Sequence, residues 1–114
     1  MLLNKGEKVH VMTRRLFEGD LRRHFAGEVM EASESGVRLE GYVFVLDTAK
    51  NHFVRRVEKR VRIIGILDSG HIIKVIPPDV RLEDLKYLRS PDKRLVVTDG
   101  REFSLDVNEF GLGR

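Results

Sequence analysis

The chain has 114 residues, which is enough for one domain with a modest hydrophobic core. Apolar residues make up 41% of the chain at a net charge of only +3, and this combination excludes an intrinsically disordered protein. The lack of cysteine excludes disulfides, thiolate metal sites and a cysteine nucleophile. The start lacks a signal-peptide core, and no apolar run approaches the ~20 residues of a membrane span. We therefore expect a cytoplasmic protein that does not enter the membrane.

Alternating apolar residues predict two strands at the start of the chain. The first covers residues 8–17 and ends near Phe17, before a Glu-Gly-Asp turn. The second covers residues 24–33 and contains Gly27. A glycine inside a strand indicates a bend or a bulge, as the corner of a small barrel requires.

Three more strands follow, separated by short turns. Residues 37–46 predict a third strand whose continuous apolar end, Val43–Leu46, indicates burial on both sides. Residues 53–67 predict a long fourth strand, although their dense charges leave a helix as the alternative. Residues 71–76 predict a short fifth strand, which ends before two prolines.

The C-terminal part has a different pattern. Leucines at three-residue spacing predict a short helix over residues 80–89, with Asp79 as its N-cap. Residues 94–107 predict a β-hairpin around Asp99-Gly100, because Asp-Gly between alternating apolar runs is a strong hairpin signal.

Together these elements predict a mainly β fold. Five strands with short turns and no intervening helix favour a small bent antiparallel barrel over residues 1–78. Residues 79–114 would form a C-terminal extension, a short helix and a β-hairpin, packed on the barrel as one structural unit.

The sequence contains no recognisable catalytic or metal-binding motif. The four histidines do not have metal-ligand spacing, although His10 and His24 could face each other across the first two strands. Most serines lie in predicted turns, and no nucleophile elbow or phosphate-binding loop follows a strand. We predict that the protein is not an enzyme and uses no metal or cofactor.

The basic residues are concentrated in the predicted barrel. Residues 1–76 carry 14 Lys or Arg against 10 Asp or Glu, whereas residues 77–114 carry 7 against 8. If residues 53–67 form one strand, Arg56, Arg60 and Arg62 project from one face and form a cationic surface suited to phosphates. Arg14 and Arg15 could extend this surface. The predicted nucleic-acid or anion-binding residues are Arg22, Arg23, Arg55, Arg56, Arg60 and Arg62.

Two segments resemble the Sm/LSm-like family of small SH3-type barrels. Phe25-Ala26-Gly27-Glu28-Val29 is similar to the second-strand signature F-x-G-x-aliphatic. Residues 69–76 are similar to the second Sm motif, with Gly70, Ile73 and Ile76 at its spacing. The resemblance covers about residues 8–77 and implies a bent five-stranded barrel.

The same resemblance bears on ligand and assembly. At the positions where the family holds polar nucleotide-binding side chains, this chain has Ser33, Val37, Ser69 and Ile72, so no binding residue is carried over. The family forms rings by pairing the edges of strands four and five, which implies a homo-oligomer. Alternatively, the C-terminal extension could cover that edge and keep the protein monomeric.

A second resemblance concerns the turn after the second strand. Residues 31–36, Glu-Ala-Ser-Glu-Ser-Gly, are similar to the D/N-x-S-x-x-G turn of PilZ domains, which implies a cyclic-dinucleotide ligand. Glu31 replaces the family's Asp or Asn, and the upstream R-x-x-x-R is missing.

The sequence thus leads to three hypotheses for a non-enzymatic binding module. The first is binding of RNA or another polyanion on the arginine-rich face. The second is a protein-interaction or self-assembly scaffold that uses its strand edges. The third is a receptor for a cyclic dinucleotide.

Overall fold

The computed structural model describes residues 2–13, 22–49, 52–67 and 70–107. The chain divides into two compact units, Met1–Pro78 and Asp79–Arg114. The described strands are β1 (Lys8–Thr13), β2 (Arg23–Ala32), β3 (Gly36–Asp47), β4 (His52–Arg55), β5 (Arg60–Gly65), β6 (His71–Ile76), β7 (Lys86–Arg89), β8 (Leu95–Thr98) and β9 (Ser104–Asp106). A 3₁₀ helix covers Leu82–Asp84. The mainly β prediction is confirmed.

The first unit contains one antiparallel sheet of six strands. Its order is β4–β3–β2–β1–β6, and β5 also pairs with β3. Because β2 occupies one side of β3, both β4 and β5 lie on the other side. The last strand, β6, returns beside β1. Among the described residues no ladder joins β6 to β4 or β5, so the sheet is open.

The middle of this sheet is buried on both faces. One face carries a valine-rich cluster, which consists of Val9, Val11, Phe25, Val29, Val37, Leu39 and Val43. The register places a second set on the opposite face, namely His10, Met12, His24, Ala26, Phe44, Phe53 and Ile76, all buried. Each fully buried aliphatic or aromatic side chain stabilises the fold by about 1.5–3 kcal/mol. The prediction that Val43–Leu46 is buried on both sides is confirmed for Val43 and Phe44, whereas Val45 and Leu46 are only partly buried.

A glycine pair lies in the middle of the β2–β3 ladder. Gly27 lies directly opposite Gly41 of β3, and both residues are buried. A register shift between Val29 and Glu31 marks a bulge two residues further on. The bulge therefore lies beside Gly27 and not at it, and a bend at Gly27 itself stays a prediction.

The predicted single strand over residues 53–67 is wrong. It is two strands, β4 and β5, separated at residues 56–59. The physical reason lies in β3: β5 pairs with its first half, Gly36–Gly41, and β4 with its last four residues, Phe44–Asp47. Between these two ladders the four residues 56–59 lie opposite only Tyr42 and Val43, so the outer chain is interrupted there.

The predicted helix over residues 80–89 is also wrong. Only Leu82–Asp84 form a 3₁₀ turn, and Asp79 does not cap it, because the N-cap position is Arg81, which makes no side-chain cap bond. Leu85 and Tyr87 are buried, whereas Lys86 and Leu88 are exposed, which is the two-residue period of a strand. Pairing of β7 with β8 overrides the helical leucine spacing.

The predicted C-terminal hairpin is confirmed. β8 and β9 pair antiparallel, from Val96 opposite Asp106 to Thr98 opposite Ser104. The loop has five residues, 99–103, and Gly100 adopts a φ of +80°. With β7, the hairpin forms a three-stranded sheet in the second unit.

Two predictions fall on residues that the structure does not describe. They are the continuation of the first strand from residue 14 to residue 17 and the turn at residues 18–20.

In the described part of the chain, no helix has the length and apolarity needed to span a bilayer.

Candidate functional site

The six predicted arginines are distributed over β2, β4, β5 and the adjoining residues. Arg22 is half-buried, and the other five are exposed. The further pair Arg14–Arg15 lies outside the described residues. The positions of the six are one residue before β2 (Arg22), the first residue of β2 (Arg23), the last residue of β4 (Arg55), the connection after it (Arg56), and β5 (Arg60 and Arg62).

These arginines do not share one face of the sheet. Arg60 lies opposite Gly41 and Arg62 opposite Leu39, on the side of the valine-rich cluster. Arg55 lies opposite Phe44, which points to the other side. The prediction that Arg56, Arg60 and Arg62 project from a single strand face is wrong, because Arg56 belongs to the connection and not to a strand.

The structure instead brings four of the six predicted arginines together along one margin of the sheet. We call residues 52–65, which comprise β4, the connection 56–59 and β5, the basic margin. It carries five basic side chains and one carboxylate, a net charge of +4, whereas the whole chain carries +3. All six charged side chains are exposed; they are Arg55, Arg56, Glu58, Lys59, Arg60 and Arg62. In the part of the chain that is described, neither Arg60 nor Arg62 forms an ion pair.

The basic margin also exposes aliphatic side chains. Val57 is 92% exposed, Val61 57% and Ile63 71%. The sequence pattern places these three residues on one parity, as a core-facing stripe would be. The structure leaves them exposed, Val57 in the connection between β4 and β5 and Val61 and Ile63 on one face of β5. Exposed guanidinium groups and exposed aliphatic groups therefore alternate along β5.

Aromatic residues at the margin are mostly covered. The Cζ atom of Arg55 lies 5.0 Å from the ring centroid of Tyr42, which is a cation–π distance. Phe53 is buried and stacks on His24, with ring centroids 4.5 Å apart and an interplanar angle of 24°. Nucleic acid bases need exposed rings for stacking, and these two rings offer little free surface.

His10 and His24 form a buried pair next to the margin. Their ring centroids lie 5.0 Å apart in an edge-to-face arrangement, which confirms that the two residues face each other. Burial, with the nearby His24 and Lys74 as smaller causes, lowers the pKa of His10 to about 3. Burial, followed by the charge of Arg22, lowers the pKa of His24 to about 4. Both rings are therefore neutral at pH 7 and belong to the core.

The β2–β3 turn borders an open groove of about 430 Å³ at the end of β5. The Ser33 hydroxyl oxygen accepts the amide hydrogens of Ser35 at 3.3 Å and Gly36 at 3.2 Å, which stabilises the turn. Arg38 lines the groove and contacts the Glu31 carboxylate at 3.3 Å. Ser33 of the PilZ-like turn thus hydrogen-bonds to the backbone of its own turn. Arg38, which lines the groove, is already paired with Glu31.

No group of three His, Asp or Glu side chains in the described residues could hold a metal ion. Comparison of the chain with protein-family models, curated proteins and solved structures finds no match. The function of the protein must therefore be argued from its own residues.

The sequence pattern identified the charges of the basic margin but not its exposed aliphatic groups. Val61 and Ile63 alternate with Arg60 and Arg62, and this pattern is the same for a half-buried strand and for an exposed outer strand. The distinction depends on whether another element covers β5, and the pattern of a single strand contains no information about that.

Proposed function

We propose that this chain is a non-enzymatic binding module that takes an anionic macromolecule on its basic margin. One observation carries the proposal: residues 52–65 hold a net charge of +4, all of it on exposed side chains, while the rest of the chain has 16 basic and 17 acidic residues. A charge excess confined to one exposed segment attracts and orients an oppositely charged partner.

The chemistry of the basic residues fits this role. Four of the five are arginines, whose planar guanidinium groups bind carboxylates or phosphates through paired hydrogen bonds. Arg60 and Arg62 are two residues apart on one side of an extended strand, so their side chains lie roughly 7 Å apart along it. That spacing matches a partner whose charges repeat along an extended chain.

We further propose that the first unit is a small SH3-type barrel of the Sm-like kind. Three observations support this assignment: the return of β6 beside β1, the close approach of β2 and β3 at Gly27 and Gly41, and the shared place of β4 and β5 beside β3. In this assignment, β4 and β5 together correspond to the fourth strand of the five-stranded barrel.

The test compares charge reversal at the margin with matched reversal elsewhere. The double variant Arg60→Glu/Arg62→Glu changes the margin, and Arg81→Glu/Arg89→Glu makes the same charge change on exposed residues of the second unit. The probes are polyglutamate and single-stranded polyuridine, with binding measured by fluorescence anisotropy over a salt series. We expect the parent and the control to bind at least one probe with an affinity that falls with salt. The affinity of the margin variant for that probe should be lower by a factor of about ten or more. Equal binding by both double variants, or no binding of either probe to the parent, would refute the proposal.

A second candidate function is self-assembly through the outer strands. The observation that favours it is the exposure of aliphatic residues on both outer strands: Val61 and Ile63 on β5, and Ile72 (42%) and Val75 (56%) on β6. Pairing of β5 with β6 of another copy would cover both. Multi-angle light scattering over a concentration series should then show oligomers, and Ile63→Lys should dissociate them. A monomer at every concentration removes this candidate.

A further inference from the structure

β5 has one open side. It pairs with β3 through six residue pairs, from Gly36 opposite Gly65 to Gly41 opposite Arg60. Among the described residues no strand pairs with its other side. An outer strand of this kind can accept an additional strand.

The backbone orientation of β5 follows from one hydrogen bond. The Ile66 amide donates to the Ser35 carbonyl at 3.0 Å, and this pair continues the register of β3 and β5. In an antiparallel ladder, hydrogen-bonded pairs alternate with non-hydrogen-bonded pairs. The amides and carbonyls of Arg60, Arg62 and Ile64 therefore point toward β3, while those of Val61 and Ile63 point to the open side.

The side chains of β5 present two different surfaces to an added strand. Val61 and Ile63 are exposed on one face of the strand, and the exposed Arg60 and Arg62 lie on the other. A neighbouring strand also alternates its side chains between the two faces, with opposite residues about 4.5–5.5 Å apart. One parity of that strand must therefore suit aliphatic groups, and the other must suit two guanidinium groups.

The groove at the end of β5 adds a place for one side chain. Ile63 and Ile64 contribute to it from β5, and Ala32 and Val37 contribute apolar surface from the β2–β3 hairpin. An apolar side chain that extends past Ile63 would enter this groove. In strand addition, backbone hydrogen bonds supply affinity and such pockets supply specificity.

We propose that β5 accepts an extended segment of a partner protein in which acidic residues alternate with aliphatic ones. The acidic residues pair with Arg60 and Arg62, and the aliphatic residues cover Val61 and Ile63. This inference rests on the proposed function, since it names the anionic partner of the basic margin. Charge complementarity favours such a partner over a second copy, because β6 contains Lys74 and no carboxylate. The aliphatic groups favour a polypeptide over a nucleic acid.

The experiment uses the full chain and short end-blocked peptides. The test peptide alternates Glu with Val; its controls are a peptide of the same composition with the residues in blocks, and the alternating peptide with a central proline. Calorimetry measures Kd, and amide hydrogen exchange by NMR reports on individual residues. We expect the alternating peptide to bind at least about tenfold more tightly than either control and to slow exchange at the Val61 and Ile63 amides.

Three variants separate the contributions. Arg60→Gln/Arg62→Gln should weaken peptide binding about tenfold and reduce its salt dependence. Val61→Pro removes an outward amide that β3 does not use, and we expect loss of binding with the sheet intact by circular dichroism. Ile63→Lys should also weaken binding, and it tests the same strand without the backbone constraint that a proline introduces. Ile72→Lys, on the other outer strand, is the matched control and should bind as the parent does.

The outcomes distinguish the inference from the proposed function. If the block peptide or polyuridine binds as tightly as the alternating peptide, or if Val61 and Ile63 remain unprotected, strand addition is wrong while anion binding survives. If no anionic probe binds, both are wrong. If the parent pairs with itself and Ile72→Lys prevents this, the occupant is a second copy, and the inference is overturned.

Discussion

Gly27 of β2 and Gly41 of β3 lie directly opposite each other, at a distance that leaves no room for a side chain on either. A Cβ atom on Gly41 would lie 1.9 Å from the Ala26 carbonyl oxygen and 2.5 Å from the Gly27 Cα atom. A Cβ atom on Gly27 would lie 2.9 Å from the Glu40 carbonyl oxygen. The two glycines allow the backbones of β2 and β3 to approach closely at this point of the ladder.

We predict that Gly41→Ala destabilises the fold by about 3 kcal/mol or more, at the upper end of the usual effect of overpacking. The clash is with backbone atoms, which cannot move aside as a flexible side chain would. Urea denaturation followed by circular dichroism measures the loss. Gly65→Ala is the matched control, because a Cβ there would lie 3.9 Å from the nearest atom, the Ser35 carbonyl oxygen. A Gly41→Ala protein as stable as Gly65→Ala would contradict the close approach.

The buried histidines predict a loss of stability in acid. Folding lowers the pKa of His10 to about 3 and that of His24 to about 4, from 6.5. Below pH 6.5 the unfolded chain takes up protons that the folded chain does not, so stability is present above that pH and is lost as the pH falls toward 3 to 4. Between pH 7 and pH 5 we expect a loss of about 3 to 4 kcal/mol from the two residues.

The pH effect has a direct control. His24→Phe keeps a ring stacked on Phe53 but removes one titrating group, so about half of the loss between pH 7 and pH 5 should disappear. His52→Gln changes an exposed histidine and should leave the loss as it is in the parent. Denaturant midpoints at the two pH values measure both. A parent-like pH dependence in His24→Phe would show that His24 does not contribute.

The second unit contains an ion pair between β9 and the residue that precedes β8. The Nε atom of Arg94 donates to Oδ2 of Asp106 at 2.8 Å, and Nη2 donates to the same oxygen. Each side chain is 43% exposed, so solvent weakens the pair. We predict that Asp106→Asn costs about 0.5–1 kcal/mol in the free energy of unfolding and that high salt reduces the effect.

A matched control for this pair is Arg101→Gln. Arg101 is 66% exposed and lies 3.7 Å from Asp84, a looser contact that we expect to contribute a few tenths of a kcal/mol at most. Both variants are compared by urea denaturation at low and high salt. Equal effects in the two variants would mean that the Arg94 geometry adds nothing.

A single hydroxyl stabilises the loop of the β8–β9 hairpin. The buried Thr98 Oγ1 donates to the Phe103 carbonyl at 2.7 Å and accepts the Gly100 amide at 3.0 Å. We predict that Thr98→Val, which has nearly the same shape, costs about 1–2 kcal/mol because two backbone groups lose their partner. Thr48→Val, at an exposed turn position, should have almost no effect. Thermal unfolding followed by circular dichroism measures both.

Local patterns in the sequence predicted several features that the structure confirms. The alternation in residues 8–13 and 24–32 produced β1 and β2, and Asp99-Gly100 marked the last hairpin. Gly27 drew attention to β2, where a bulge lies two residues further on, but its partner Gly41 did not stand out, because both residues are needed only where two strands meet. The excess of basic residues in 55–62 was visible from the sequence alone.

The two wrong predictions, the helix over residues 80–89 and the single strand over residues 53–67, have the same cause. Leu82, Leu85 and Leu88 have helical spacing, but β8 offers residues 86–89 a ladder, and pairing decided the outcome. Residues 53–67 have the pattern of one strand, but they pair with two separate parts of β3 and form two strands. In both cases a contact between distant segments prevailed over a local preference.

The sequence by itself therefore determined which residues prefer extended structure, where the chain bends and turns, and where its positive charge lies. These are local properties of side-chain size, shape and charge. Only the tertiary structure decided which sides of the strands are covered. The exposure of Val61 and Ile63, the open backbone groups of β5 and the burial of His10 and His24 all depend on which strands are neighbours. Strand pairing is a long-range interaction, and no single segment encodes it.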